Sequence, residues 1–192
     1  MNKAIFFDRD GVLIKDNGHL TQIEDIEFAV DVFPAFRLFK SMDFKLIVVT
    51  NQAVVARGMI DEAGVSEINQ YILDEVYKNT GCKIEKFYFC PHHPNANIEE
   101  YRENCECRKP KPGMLMQAAR EFGIDLSQSY MIGDRLSDVI AGAKAGCRTI
   151  LLATGKHEDA PIESDAFDLE IKPDFTCSNL TEAVEIINKT RS

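Results

Sequence analysis

The chain is short of positive charge. Its 192 residues hold 22 Lys and Arg against 31 Asp and Glu, a formal net charge of −9. Non-specific nucleic-acid affinity needs a basic surface, so DNA or RNA is a disfavoured partner, whereas a small phosphorylated ligand needs only a local cationic pocket. The sequence also lacks any apolar run of the roughly 18 to 20 residues that a membrane-spanning helix requires. No membrane partner is expected. The opening residues meet Asp8 before an export-signal core has formed, so the expected location is the cytoplasm. Internal repeats and low-complexity tracts are missing, and no insertion of domain size separates the motifs below. The expectation is one domain over residues 1–192, without a cap domain, acting as a monomer. Hydrophobic residues at 45% are too many for a disordered chain, so folding along nearly the whole length is expected.

Short apolar runs alternate with helical periodicity. Ala4-Ile5-Phe6-Phe7, Leu46-Ile47-Val48-Val49, Phe87-Tyr88-Phe89, Tyr130-Met131-Ile132 and Thr149-Ile150-Leu151-Leu152 read as buried strands, with a short late one at Phe167-Asp168-Leu169. Helical spacing covers Phe33 to Met42, Asp61 to about Asn79 (Val65, Ile68, Ile72, Val76, then Gly81 to end it), Met114 to Phe122, Asp138 to Ala145 and Leu180 to Asn188. Alternation of this kind predicts an α/β fold, a Rossmann-like parallel sheet with helices on both faces. Ligand sites in such sheets lie beyond the carboxyl ends of the strands. Three polar clusters fall there: Asp8 with Asp10, Thr50 with Asn51, and Asp134 with Asp138.

Asp8-x-Asp10-Gly11 puts two acids just past a strand, where one can attack as nucleophile while its neighbour handles a proton. An acidic strand-end turn is the plain alternative. For Lys109, within Arg108-Lys109-Pro110-Lys111-Pro112-Gly113, the alternative is a solvated turn, and for Asp134 a helix cap. Asp138 either orients Lys109 or sits in the first turn of a helix.

The segment from Pro91 to Lys111 has no periodicity and reads as a long irregular insertion, a length of loop that needs something to order it. Cys90-x-His92, twelve further residues, and Cys105-x-Cys107 form a closed tetrahedral zinc set, so a zinc-binding loop at 90–107 is expected, with adjacent disulfides or free thiols as the alternative. His93, next to His92, competes for the ligand position. Cys82, Cys147 and Cys177 read as buried thiols without partners.

The motifs around Asp8, Thr50, Lys109 and Asp134, in this order, resemble those of the haloacid dehalogenase superfamily of phosphohydrolases. The resemblance implies that Asp8 is the nucleophile and Asp10 the general acid and base. Thr50 would hydrogen-bond the phosphoryl group, Lys109 would neutralise it, and Asp134, the Asp8 carboxylate and the Asp10 carbonyl would hold Mg2+. Phosphoryl transfer relies on positioning and charge neutralisation, and Mg2+ is a hard ion suited to carboxylates, so the chemistry agrees. Asp8-Arg9-Asp10-Gly11, Thr50-Asn51-Gln52, Ala56-Arg57-Gly58, Cys90-Pro91-His92-His93-Pro94 and Cys105-x-Cys107-Arg108-Lys109-Pro110 look like the branch of heptose-bisphosphate phosphatases, with histidinol-phosphate phosphatases as neighbours.

That branch implies a small phosphorylated sugar as substrate, losing its 7-phosphate. It also implies substrate contacts at Asp16, Asn17, Gly18, His19, Asn51, Gln52, Ala53, Arg108 and Arg135. In one place the chain departs from the branch pattern: Ala53-Val54 stands where Ser-Gly is usual. Valine resists the positive φ that glycine allows and Ala53 lacks the serine hydroxyl, so the phosphoryl site is expected to survive while the sugar-facing contacts and the exact substrate are left open. A zinc-stabilised scaffold without activity is the reading from another class, and the retained set of acids and lysine argues against it.

Overall fold

The computed structural model describes residues 1–153 and 170–190. In chain order the elements are β1 (Ala4–Phe7), α1 (Val32–Phe39), β2 (Lys45–Asn51), α2 (Ala53–Ala56), α3 (Glu62–Thr80), β3 (Ile84–Cys90), α4 (Gly113–Phe122), β4 (Tyr130–Gly133), α5 (Leu136–Ala145), β5 (Arg148–Leu152), β6 (Phe175–Cys177) and α6 (Leu180–Thr190). The six strands form one sheet in the order β3-β2-β1-β4-β5-β6, and every pairing is parallel. Strand order reverses between β1 and β4, and a crevice opens at such a reversal.

Strand periodicity explains the two cores. Ile5 and Phe7 of β1 face α1, α3 and α6, packing with residues such as Phe36, Ile72 and Ile187. Ala4 and Phe6 face the other way, against Met114 and Leu115 of α4 and Ala141 of α5. A strand buried on both faces reads as an unbroken apolar run, which is why β1 shows no alternation. Phe7 packs tilted against Phe36 and edge-on against Phe39 at ring distances of 5.2 and 5.3 Å, each contact adding about 0.5–1.5 kcal/mol to the area buried. Those contacts pin the strand end from which the next residue, Asp8, emerges.

The wholly parallel sheet with helices on both faces agrees with the sequence expectation. α3 starts where Asp61 accepts a hydrogen bond from the Gly64 amide at 2.8 Å and stops at Gly81, whose φ of 64° is left-handed. Two elements differ from expectation. α2 is a single turn too short for periodicity to reveal, and the last strand is Phe175–Cys177. The late strand expected at residues 167–169 lies outside the described residues. Among the described residues, no helix is long and apolar enough to cross a membrane.

Candidate active site

β1 delivers Asp8 to the crevice while still in register, its amide donating to the Ile132 carbonyl of β4 at 3.0 Å. The chain then turns sharply through Gly11, where φ is +81°. A Cβ there would stand 2.1 Å from Asp134 Oδ2, so glycine is required by space as well as by torsion. The same close approach recurs at Gly133, where a Cβ would meet the Asp138 side chain at 2.2 Å. The turn after β1 and the turn after β4 thus press their acids together.

Lys109 enters this cluster from the loop before α4 and is 3% exposed. Its Nζ lies 2.9 Å from Asp8 Oδ1 and 2.6 Å from Asp138 Oδ1, and donates to the Val49 carbonyl at 2.9 Å. Three N–H groups meet three acceptors, which fixes the ammonium. Asn51 holds the lysine backbone from both sides: its Oδ1 accepts from the Lys109 amide and its Nδ2 donates to the Lys109 carbonyl, each at 3.0 Å. Asp138 therefore orients Lys109, and it also sits in the first turn of α5, where its Oδ2 accepts from the Arg135 amide at 3.1 Å. Both alternatives open for this residue in the sequence are realised at once.

Asp8, Asp134 and Asp138 each offer an oxygen within 4.8 Å of the others. Burial, only partly offset by Lys109, pushes the Asp8 carboxyl up to about 6, with the charges of Asp138 and Asp10 adding to the rise. Asp134 is pushed up to about 8, first by burial and then by the charges of Asp8 and Asp138. Burial by itself would lower Lys109, but Asp138 and Asp8 outweigh it and the net shift is upward, so the lysine is a firm cation. One cation among three carboxylates leaves a charge deficit. Asp134 Oδ1 is fully buried without a hydrogen-bond partner, a costly state for a carboxylate that a hard divalent cation would relieve. With Asp138 engaged by Lys109 and the Arg135 amide, Asp8 and Asp134 are the side chains that fit Mg2+.

The Asp10 carboxylate takes no part in that group. It accepts from Arg9 Nε at 3.2 Å, from Arg9 Nη2 at 3.1 Å and from Gln52 Nε2 at 2.8 Å. Thr50, at the end of β2, is 1% exposed and its Oγ1 accepts from Gln52 Nε2 at 2.8 Å.

A cleft of about 660 Å3 opens over the cluster, lined by Asp8, Asp10 and Thr50 at its floor. Of the residues expected to touch substrate, Asp16, Gly18, His19, Asn51, Gln52, Ala53, Arg108 and Arg135 line it, although Asn51 and Gln52 have their amide groups engaged by protein. Asn17 does not line it, and its Nδ2 donates to Glu27 at 3.3 Å. Arg135 Nη2 reaches Asp16 Oδ2 at 2.7 Å, joining the loop after β1 to the start of α5. Arg57, whose Nη1 lies 3.1 Å from His19 Nδ1, and His93 also line the cleft, and sequence reasoning gave neither a role there. Val54 needs no positive φ: it is the second residue of α2, nearly buried, and packs with Val55 and Val65. The expected strain at that substitution is absent because the turn is helical.

The cysteine cluster forms a second centre. Cys90 Sγ is 3.4 Å from Cys105 Sγ, Cys105 Sγ is 3.2 Å from Cys107 Sγ, and His92 Nδ1 stands 3.8 Å from Cys90 Sγ and 3.6 Å from Cys107 Sγ. A tetrahedron with bonds of ~2.3 Å has edges of ~3.8 Å, so the four atoms sit close to the corners a zinc ion needs. All six cysteines are free, which removes the disulfide alternative. His93 is not in the set; its Nδ1 accepts from the Asn95 amide. Hydrogen bonding led by Cys90 lowers Cys107 to about 5, while its bond to Cys107 and burial raise Cys90. One negative charge is thus shared among the thiols, and a dication is what allows all three to ionise. The cluster is tied to the cleft by Arg108, whose Nη1 donates to the His92 carbonyl at 3.0 Å.

Fold and strand-end cluster together define a hydrolase of the haloacid dehalogenase (HAD) type, and a family model described as HAD-hydrolase-like matches residues 106–183. The chain is 42% identical over 164 residues to the D-glycero-beta-D-manno-heptose-1,7-bisphosphate 7-phosphatase of Yersinia pestis, covering 85% of this chain and 87% of the relative. The protein of the same name from Escherichia coli K12 is 39% identical over 187 residues, covering 97% and 94%. Among solved structures, the D,D-heptose 1,7-bisphosphate phosphatase of B. bronchiseptica, complexed with magnesium and phosphate, superposes with a TM-score of 0.81 at 27% identity, covering 97% of this chain and 98% of that one. The chain belongs to the family of these heptose-bisphosphate phosphatases, within the HAD-like hydrolases.

Proposed function

We propose that the protein hydrolyses a phosphate monoester through a phosphorylated Asp8, with D-glycero-D-manno-heptose 1,7-bisphosphate as substrate and its 7-phosphate as the group removed. The observation that carries the reading is the contact of Lys109 Nζ with Asp8 Oδ1 at 2.9 Å beside the unpartnered oxygen of Asp134. Asp8, its counter-cation and an acid with an unpartnered oxygen meet at one point of the crevice.

An Asp8 oxygen attacks phosphorus, the P–O bond to the sugar breaks, and Asp10 gives a proton to the departing alkoxide. Asp10, now a carboxylate, takes a proton from water as that water attacks the phosphorus of the aspartyl-phosphate. Inorganic phosphate leaves and Asp8 is regenerated. Lys109 offsets the charge on the phosphoryl oxygens, and Thr50, whose oxygen already accepts from Gln52, has its hydroxyl hydrogen left to donate to them. Asp8 and Asp134 would hold Mg2+, which would supply further neutralisation of the phosphoryl charge. Arg108 and Arg135 line the cleft where a second phosphate would lie, and a guanidinium suits a phosphate by forking onto two oxygens. Zinc at Cys90, His92, Cys105 and Cys107 orders the loop that carries Arg108 and Lys109.

Support for the sugar bisphosphate comes from the names carried by the relatives and from the two arginines. The experiment is phosphate release from both anomers of heptose 1,7-bisphosphate, from histidinol phosphate and from 4-nitrophenyl phosphate, with and without Mg2+. A kcat/KM for a heptose ester well above the other two is expected, as is loss of turnover without the ion. Preference for histidinol phosphate overturns the substrate reading and leaves the chemistry standing.

A further inference from the structure

The turn between the two acids carries a buried cation with no part in the steps above. The side chain of Arg9 is 1% exposed, although both of its sequence neighbours are acids of the site. A guanidinium has five N–H groups in a rigid fork. Those of Arg9 reach Asp10 twice, Gln52 Oε1 at 2.8 Å and Asn69 Oδ1 at 3.1 Å. Gln52 closes a ring by donating to Asp10 Oδ2, and the same amide nitrogen reaches Thr50 Oγ1. Three donors, two from Arg9 and one from Gln52, therefore fix the Asp10 carboxyl.

Asn69 is the far anchor of this network. It stands on α3 at 4% exposure, on a face otherwise made of Val65, Ile68, Ile72 and Val76. A buried amide on an apolar helix face costs stability unless it is hydrogen-bonded, and its bond runs to Arg9 across 60 residues of chain. That bond gives an otherwise apolar helix face a specific connection to the acid.

We propose that Arg9, held by Asn69 and Gln52, is a positioning residue that sets Asp10 at the angle from which it delivers a proton to the leaving oxygen. The inference rests on the reading of Asp10 as general acid, and its test separates the two. A sugar alkoxide needs a proton to leave, whereas 4-nitrophenolate leaves without one. Because kcat/KM covers the steps through departure of the leaving group, comparing it for heptose 1,7-bisphosphate and for 4-nitrophenyl phosphate isolates the proton delivery.

Asp10→Asn is expected to lower kcat/KM on the sugar ester by roughly 10²–10⁴-fold more than on the aryl ester. Asn69→Leu is expected to show the same selectivity, at roughly tenfold or more, while Asn69→Asp, which keeps the acceptor for Arg9, stays close to the parent on both esters. Arg9→Lys, which retains the buried charge but loses the fork, repeats the selective loss and serves if Asn69→Leu does not fold. Equal losses on the two esters, or no loss, in the folded variants overturn the positioning role if Asp10→Asn is selective. An Asp10→Asn enzyme without selectivity overturns the acid assignment itself.

Discussion

The two centres of this molecule are built in opposite ways. The carboxylate cluster stands on the ends of β1 and β4, with Lys109 locked among Asp8, Asp138 and the Val49 carbonyl. The cysteine cluster stands at the end of β3 and on a loop whose only regular element is one turn of 3-10 helix at Glu99–Tyr101. Sheet packing would hold the first in place with no metal present. The second has less to hold it: Cys90 and Cys105 reach one core and the Asn97 and Ile98 amides donate to the Ala56 carbonyl, but the rest of the loop is irregular, and a metal bond closes it. The comparison teaches that a metal can serve two ends in one chain: charge compensation where the protein has already fixed the geometry, and geometry where it has not.

The largest effect should come from Asp8→Asn, which lowers turnover by roughly 10⁴-fold or more, the scale at which nucleophile removal acts. Zinc content should stay at the parent value, and any fall in Tm should be no larger than that of Asp138→Asn below, because Asp138 still faces Lys109; loss of the fold would mean that the cluster is not held by the sheet. Next comes Cys105→Ser. Metal analysis should show the zinc gone and Tm lowered by roughly 10 °C or more, at ~2–4 °C per kcal/mol for a domain of this size. What folds should show a raised KM, because Arg108 is tethered to the His92 carbonyl. Unchanged metal content would refute the ligand set.

Asp138→Asn removes one partner of a buried ion pair and should cost about 3 kcal/mol in urea unfolding, the lower end of the range for such pairs, since Asp8 still faces Lys109. A cost near zero would show that the aspartate is not needed to place the lysine. The smallest effect is one of pH. Asp8 and Asp134 have folded-state values raised above the unfolded ones, to about 6 and about 8, so the native state without Mg2+ binds more protons. Their contribution to stability is full below pH ~4 and is lost as pH rises through those values, at about 1.4 kcal/mol per pH unit for each proton released. Tm measured from pH 5 to pH 8 without added divalent ion should therefore fall, and adding Mg2+ should flatten the slope. Identical slopes with and without the ion would contradict the pairing of Asp8 and Asp134 as its ligands.

Much of this was legible in the sequence, for physical reasons that differ by region. Strands buried on both faces announce themselves as continuous apolar runs, and the acids follow directly at their ends, so Asp8, Thr50 and Asp134 could be placed without coordinates. The Cys-x-His and Cys-x-Cys spacing marked the second centre, but not which histidine joins it, since neighbouring residues on irregular backbone carry no periodicity. α2 escaped because one turn has no period to detect. The partners of Asn51 and Gln52 were hidden too, because an amide's hydrogen bonds depend on what the fold brings opposite it. Asn69 was more accessible than it seemed: it lies four residues after Val65 and three before Ile72, on the stripe that marked the buried face of α3. A polar residue on an apolar stripe is a signal in its own right.

The central place of β1 in the sheet has a consequence for how the protein is made. β1 leaves the ribosome before either strand that flanks it, and one of its flanks can be filled by β2 soon afterwards. The other flank is exposed until residues 130–132 are synthesised. Lys109 and Asp134 also arrive late. A nascent chain that stops short of β4 holds Asp8 with an open strand edge and without its full charge partners. Truncated products should therefore be both inert and prone to associate, and activity should emerge only when the second half of the chain closes on the first.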